Sequence, residues 1–292
     1  MADNLKAVQF KQTGLNSLER FVQAYQEVTV YQMQRVRDVV LHNRIFMNGL
    51  LDIFVDIKQA VEKQEFGQLR ANKATHVSFL TLVKNGRSAA VFLSLDSRFA
   101  GNSTRNLFQL YAKYVRANAD IDLIIVGELG ARLFRNEFAT KKFKFYELPE
   151  VGAGEALTNL TKDLLEYENV DVFTSYFQSL LQQDPIQVNI TAAIPLQEQA
   201  SLLDRKQRAF LFEPAGKQIL NFFEVQIFTA LLRQTVEETR LATLGNRINT
   251  LESTYNSLED QLFKLSKDAK KVKRKEMNKK QRQRLSGMAL WV

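Results

Sequence analysis

The chain has 292 residues, 45% of them apolar, 25% charged and 10% aromatic, enough to bury a core and too apolar for a disordered chain. It has no cysteine and two histidines, His42 and His76, which excludes disulfides, thiolate chemistry and Cys-ligated zinc and argues against a His-based triad or metal site. The net charge of +8 is local: between Lys264 and Arg284 eleven Lys or Arg stand against Asp268 and Glu276, so the remainder sums to about −1.

The opening Met-Ala-Asp-Asn-Leu-Lys carries neither a secretory nor a transit pattern, and no run approaches the roughly 18 apolar residues of a spanning helix. A cytoplasmic protein is the expectation. From Leu15 an apolar seam steps by three and four through Leu18, Val22, Tyr25, Thr29, Gln32, Val36, Val39, Asn43, Phe46, Leu50, Ile53, Ile57 and Val61. That spacing predicts one long helix from near Gly14 to the low sixties, with a partner helix covering its seam. Asn43 and Gln32 either fix the register or mark where the partner is lost.

The middle alternates between strand and helix patterns. Thr75–Val83 and Ser88–Leu95 flank Asn85-Gly86, which reads as a hairpin turn. A helix is predicted from Thr104 to about Asn118, a buried strand at Leu123–Val126, a short helix from Ala131 to Phe138 and a strand at Phe143–Leu148. A further helix over Glu155–Glu166 precedes two strands, Val170–Ser175 and Ile186–Ile190. This order predicts an open α/β sheet layered by helices. After strand-like Arg208–Phe212, Glu213-Pro214 opens a second long helix with the seam Leu241, Leu244, Ile248, Leu251, Tyr255, Leu258, Leu262, Leu265. None of the four prolines falls in either seam. Helices of roughly 48 and 70 residues would be about 70 and 105 Å long. The two seams predict an antiparallel coiled coil rising from a globular middle.

Candidate chemistry is sparse. Val126-Gly-Glu-Leu-Gly130 sits where a dinucleotide fingerprint would lie but lacks its third glycine and spacing, so a tight strand-to-helix turn is the favoured reading. No P-loop is present. Asp96-Ser-Arg98 follows a strand and reads as a turn cap rather than a catalytic acid. His42 reads as a solvated helix residue and His76 as the start of a strand. The basic run can dock on acidic protein loops, stay solvated, or grip nucleic acid or anionic lipid. Aromatics that could stack on bases are absent between Lys264 and Leu290, which favours protein contact.

Several motifs resemble one family, the gamma subunit or central stalk of F-type rotary ATP synthases. Glu213-Pro214 with Ile219-Leu220 is similar to the Glu-Pro that opens the family's C-terminal helix. Arg247, Ile248 and Leu251 resemble its Arg-Met-x-Ala-Met stretch, with both methionines replaced. Ser286-Gly287-Met288-Ala289 resembles its terminal Ser-Gly-Ala. Asp96–Gly101 resembles a degraded Ser-Asp-Arg-Gly-Leu-Cys-Gly loop, and Val126-Gly127 the Val-Gly-x-Lys-Gly turn with Leu129 in place of Lys. Gln183-Asp-Pro185 and Ile194-Pro195-Leu196 resemble its Gln-Glu-Pro and Leu-Leu-Pro-Leu pairs. The departures are local: Lys270-Lys271-Val272-Lys273-Arg274 stands for Asn-Lys-x-Arg-Gln, Lys280 and Gln283 replace acidic residues, and Tyr31-Gln32-Met33 replaces a small-residue run.

The resemblance implies a coiled-coil helix over 1–66, a central Rossmann-like α/β domain over 67–212 and a coiled-coil helix over 213–292. It implies a non-catalytic rotor shaft, without metal or cofactor, coupling rotation to ATP synthesis or hydrolysis. The partners would be the catalytic and non-catalytic nucleotide-binding subunits of a hexamer, a small stalk subunit and a membrane rotor ring, with no nucleic acid. The protein would be peripheral, on the cytoplasmic face of a membrane. The implied contacts are Arg247, Lys271, Lys273, Arg274, Lys275, Gly287, Met288 and Trp291. Two other readings stay open: a stalk repurposed away from ion transport, and a stand-alone basic coiled-coil adaptor or nucleic-acid binder.

Overall fold

The computed structural model describes residues 2–66, 85–95, 102–149, 154–179, 182–192 and 216–288. Side chains at 2–6, 59, 61–66, 216–217 and 286–288 are outside the description. The elements run α1 (Ala2–Phe66), β1 (Ser88–Leu93), α2 (Ser103–Ala117), β2 (Asp122–Val126), α3 (Glu128–Glu137), β3 (Lys144–Tyr146), α4 (Gly154–Leu165), β4 (Asn169–Phe177), β5 (Gln183–Asn189) and α5 (Gly216–Met288). Contacts divide the chain into two compact units, Met33–Asn246 and Met1–Gln32 with Arg247–Val292.

In the larger unit five strands form one sheet in the order β3-β2-β1-β4-β5. The first four are parallel, and β5 closes the sheet antiparallel to β4, with Val172 opposite Val188. Side chains of β1 alternate between two buried faces. Ala89, Val91 and Leu93 pack with Met47, Leu51 and Phe54 of α1, Leu160 and Leu164 of α4, and Ile227, Leu231 and Leu232 of α5. Ala90 and Phe92 pack on the opposite face with Leu107, Tyr111 and Val115 of α2 and Phe134 of α3. Burial on both sides is what a parallel sheet needs, and it explains the continuous apolar run at Leu123–Val126.

The aromatic face is dense. Tyr111 stacks on Phe92 at 5.1 Å and meets Phe173 edge-on at 5.2 Å, while Phe143 meets Phe134 edge-on at 5.2 Å. The Tyr114 hydroxyl donates to Asp171 Oδ2 at 2.8 Å; burial, and then that carboxylate, push the phenol up to about 12. Asp171 is satisfied further by Gln187 and Asn189. Gly127 turns from β2 into α3 at φ 95, and its N–H donates to the Tyr146 carbonyl at 2.9 Å. A Cβ on Gly130 would lie 2.7 Å from both Phe92 and Ser94, so α3 can approach the sheet only because that position lacks one.

Three expectations change. Asn85-Gly86 does turn the chain, with Gly86 at φ 68 and Asn85 Oδ1 accepting from the Arg87 N–H. Yet β1 does not form a hairpin, because both its edges are taken by the parallel strands β2 and β4. Thr75–Val83, its expected partner, lies outside the described residues, as do Asp96–Gly101, His76, Arg208–Phe212 and Glu213-Pro214. Helix α1 begins at Ala2 rather than near Gly14. Gly14 has open space around it, and one exposed glycine costs a helix only about 1 kcal/mol.

The seam of α1 also departs from the strict seven-residue repeat. Among the described side chains of α1, Val22, Thr29, Val40, Met47, Leu51, Phe54, Val55, Ile57 and Lys58 are buried, and within that set Val22, Thr29, Val40, Met47 and Lys58 are spaced by seven and eleven in turn. Each such pair covers eighteen residues, five turns of a 3.6-residue helix. Val39, Phe46 and Ile53, assigned to the seam by sevens, are instead 41%, 60% and 49% exposed.

Candidate functional site

No described helix is long and apolar enough to cross a membrane, and no acidic or histidine cluster among the described residues could hold a metal. His42 is exposed on α1, its Nδ1 2.7 Å from the Asp38 carbonyl.

In the smaller unit, residues 2–32 and 247–288 form an antiparallel pair. Gln26 Nε2 donates to Glu252 Oε2 at 2.7 Å and Arg247 Nη1 to Gln32 Oε1 at 3.4 Å, so advancing along α1 meets earlier residues of α5. Val22, Leu251 and Leu258 make the buried centre, flanked by Leu15, Tyr25 and Tyr255. All six belong to the predicted seams.

Arg247 is 3% exposed, with its guanidinium carbon 5.7 Å from the centre of the Tyr25 ring. A cation over an aromatic face shielded from water is worth roughly 2 kcal/mol. In this chain Arg247 holds the helix pair together from inside. Sequence reasoning missed this pairing because Arg247 stands beside the seam residue Ile248, not on it.

Of the other expected contacts, the four basic residues are on the surface. Lys271 bridges Asp268 at 3.6 Å with both side chains largely exposed, a pairing that contributes little in water. Lys273, Arg274 and Lys275 are exposed. Gly287 and Met288 fall in the last turn of α5 without described side chains, and Trp291 lies outside the described residues. Large apolar side chains also face water on this unit. Phe10, Phe21 and Val28 of α1 are 84%, 56% and 52% exposed and follow the same eleven-and-seven spacing as the seam. On α5, Phe263 is 61% exposed, with Lys267 Nζ 4.1 Å above its ring. That second stripe was legible only once the true helical period was known.

In the larger unit α5 is fastened to the sheet. The buried Thr239 hydroxyl bonds Thr174 of β4, and Arg240 donates to the Pro149 carbonyl at 3.0 Å. A Cβ on Gly245 would come within 3.0 Å of Phe177 and Gln183. Arg44 of α1 bonds Glu238 of α5 at 3.0 Å. Within this unit, turning α5 about its axis would break these contacts.

A family model described as ATP synthase matches residues 4–279, nearly the whole chain. The chain belongs to the ATP synthase family. A curated relative, the ATP synthase gamma chain of Acinetobacter baylyi, is 19% identical over 279 residues, covering 87% of this chain and 93% of its own. Among solved structures, a chain of the Euglena gracilis mitochondrial ATP synthase (OSCP/F1/c-ring) superposes with a TM-score of 0.59 at 12% identity. That match covers 99% of this chain and 95% of the other. A chain of the Tetrahymena thermophila mitochondrial ATP synthase central stalk/c-ring matches with a TM-score of 0.56 at 13% identity, covering 80% and 99%. This ATP synthase family member thus shares the gamma fold of two long helices around a mixed, mostly parallel sheet while retaining little of the relatives' sequence.

Proposed function

We propose that the chain is the central-stalk rotor subunit of an F-type ATP synthase or ATPase, carrying torque and no catalytic group of its own. The observation that carries this reading is a family match over residues 4–279 on a chain whose two ends form one antiparallel helix pair. The partners that the reading requires are the alternating nucleotide-binding subunits of a hexamer, a small stalk subunit and a membrane rotor ring. The protein then acts at the periphery of the membrane, on its cytoplasmic face.

Torque needs a shaft whose helices do not slide and a base that grips it. The Val22–Leu251–Leu258 centre, with Arg247 stacked on Tyr25, supports the first requirement. The Thr239–Thr174 bond and the close approach at Gly245 support the second. Turning an asymmetric shaft inside a ring changes which subunit conformation each position favours, a population shift driven by contact. In this reading Lys271, Lys273, Arg274 and Lys275 meet the hexamer directly, Gly287, Met288 and Trp291 meet it at the tip, and Arg247 acts on it only through the helix pair.

The test is purification of the tagged chain from its native cells in mild detergent. Two P-loop ATPase subunits in equal, threefold excess are the expected result, and recovery without them defeats the reading. In the purified complex, replacing Lys271, Lys273, Arg274 and Lys275 with Glu is expected to lower torque-coupled ATP turnover while the chain stays folded. Unchanged turnover removes the basic face from the mechanism.

A further inference from the structure

Outside the basic run of α5 the chain sums to about −1, yet between Arg132 and Lys144 five cations, Arg132, Arg135, Lys141, Lys142 and Lys144, stand against Glu137. Aromatic rings are interleaved with them. Arg116, near the end of α2, has its guanidinium carbon 5.7 Å from the centre of the Phe138 ring. Lys141 Nζ lies 5.8 Å from the same centre and donates to the Val115 carbonyl at 3.2 Å. The guanidinium carbon of Arg135, in α3, lies 5.5 Å from the centre of Phe143. Phe134 ties the two rings together, 4.9 Å from Phe138 and 5.2 Å from Phe143. Phe145, two residues beyond Phe143, is 44% exposed.

The two stacked arginines differ in one respect. Arg116 also binds a carboxylate, that of Glu137. Stacking fixes a planar guanidinium and leaves the N–H donors along its rim for an acid, so ring and carboxylate complete each other. Arg135 has the ring without the acid. Among the described residues no carboxylate pairs with Arg135 or with its exposed neighbour Lys142. The second arginine thus repeats the first with its carboxylate missing. We propose that Arg135, Lys142 and Phe145 form a docking surface for an acidic segment of another protein subunit. An Asp or Glu of that segment pairs with Arg135 and Lys142, and an adjacent apolar side chain covers Phe145. Nucleic acid needs open ring faces on which bases can stack, and a membrane interface favours rings free to enter it. Phe138 and Phe143 are packed on Phe134 and already carry their own cations. The stalk reading enters only through the assembly used for the test.

That assembly is the complex purified with the full chain. A carbodiimide, which joins amines to carboxylates without a spacer, is expected to link Lys142 to an Asp or Glu of another subunit. K142R, which keeps the charge and removes the amine, is expected to lose the link and retain the subunit. R135E/K142E is expected to weaken binding of the linked subunit by on the order of tenfold, with the near-ultraviolet circular dichroism of the chain unchanged. R135K keeps the charge but not the flat fork, and is expected to weaken it by roughly threefold. If R135E/K142E holds the subunit as firmly as the wild type, or Lys142 links only within its own chain, the docking surface is overturned. It is overturned equally if Lys142 gives no link and the wild-type chain binds phosphatidylserine vesicles or single-stranded DNA in a way that R135E/K142E abolishes. A complex without P-loop ATPase subunits defeats the stalk reading, whereas a Lys142 link to a second subunit there still supports the surface.

Discussion

The two compact units hold themselves together in opposite ways. The larger unit packs aromatic rings from α2, α3, β1 and β4 into one face of its sheet and a second apolar layer against the other. The smaller unit has three buried apolar residues, a stacked arginine and a long exposed basic end. The first is a finished fold. The second rests on a narrow seam and carries most of the chain's positive charge on exposed side chains. The deep core and the bulk of the positive charge are thus separated along the chain, not blended within one domain.

That contrast can be broken from its stronger side first. Phe92 is fully buried between Tyr111 and Phe108, and Phe92→Ala is expected to cost about 3–5 kcal/mol and to abolish the cooperative melting of the larger unit. Calorimetry reads this directly; a loss below about 1 kcal/mol would mean that the aromatic face is not the core. Next in size, Leu251→Ala is expected to remove about 2–4 kcal/mol from the helix pair. Hydrogen exchange is then expected to accelerate over 15–30 and 247–262 and to remain slow in β1, β2 and β4. Uniform acceleration would show that the two units do not differ as described.

The smallest effect concerns pH. Tyr114 has its phenol raised from 10.0 to about 12 in the folded chain, so folding favours the protonated form. The stability it contributes is complete below pH 10 and is lost as pH rises from 10 towards 12. Tyr114→Phe is expected to flatten that part of the stability profile, measured by denaturant titration at several alkaline pH values. An unchanged slope would relieve Asp171 and its hydroxyl partner of any role there.

Local chemistry made most of this visible beforehand. Leu241 to Leu258 and Leu15 to Val36 announced the pair of helices, and Leu123–Val126 announced a strand buried on both faces. Failures came where distance along the chain matters. Asn85-Gly86 signals a turn but cannot name the strand that pairs with Ser88–Leu93, which proved to be β2 and β4 in parallel. Past Val36 a seven-residue ruler drifts from a helix that repeats every eighteen, which moved Val39, Phe46 and Ile53 to the wrong side. The exposure of Lys271, Lys273, Arg274 and Lys275 was legible from composition. The inward turn of Arg247 was not, because a ring and an amide on another helix decide it.

A subunit that must wait for its partners is at risk from its own sheet margins. The outer strands here are poor templates for a second copy. On one side β3 has only three residues, with Lys144 exposed; on the other β5 carries Pro185 opposite Ser175, next to the acidic Asp184. A short charged border and a proline-interrupted one both discourage edge-to-edge aggregation. Both borders of the described sheet thus carry features that disfavour pairing with a second copy.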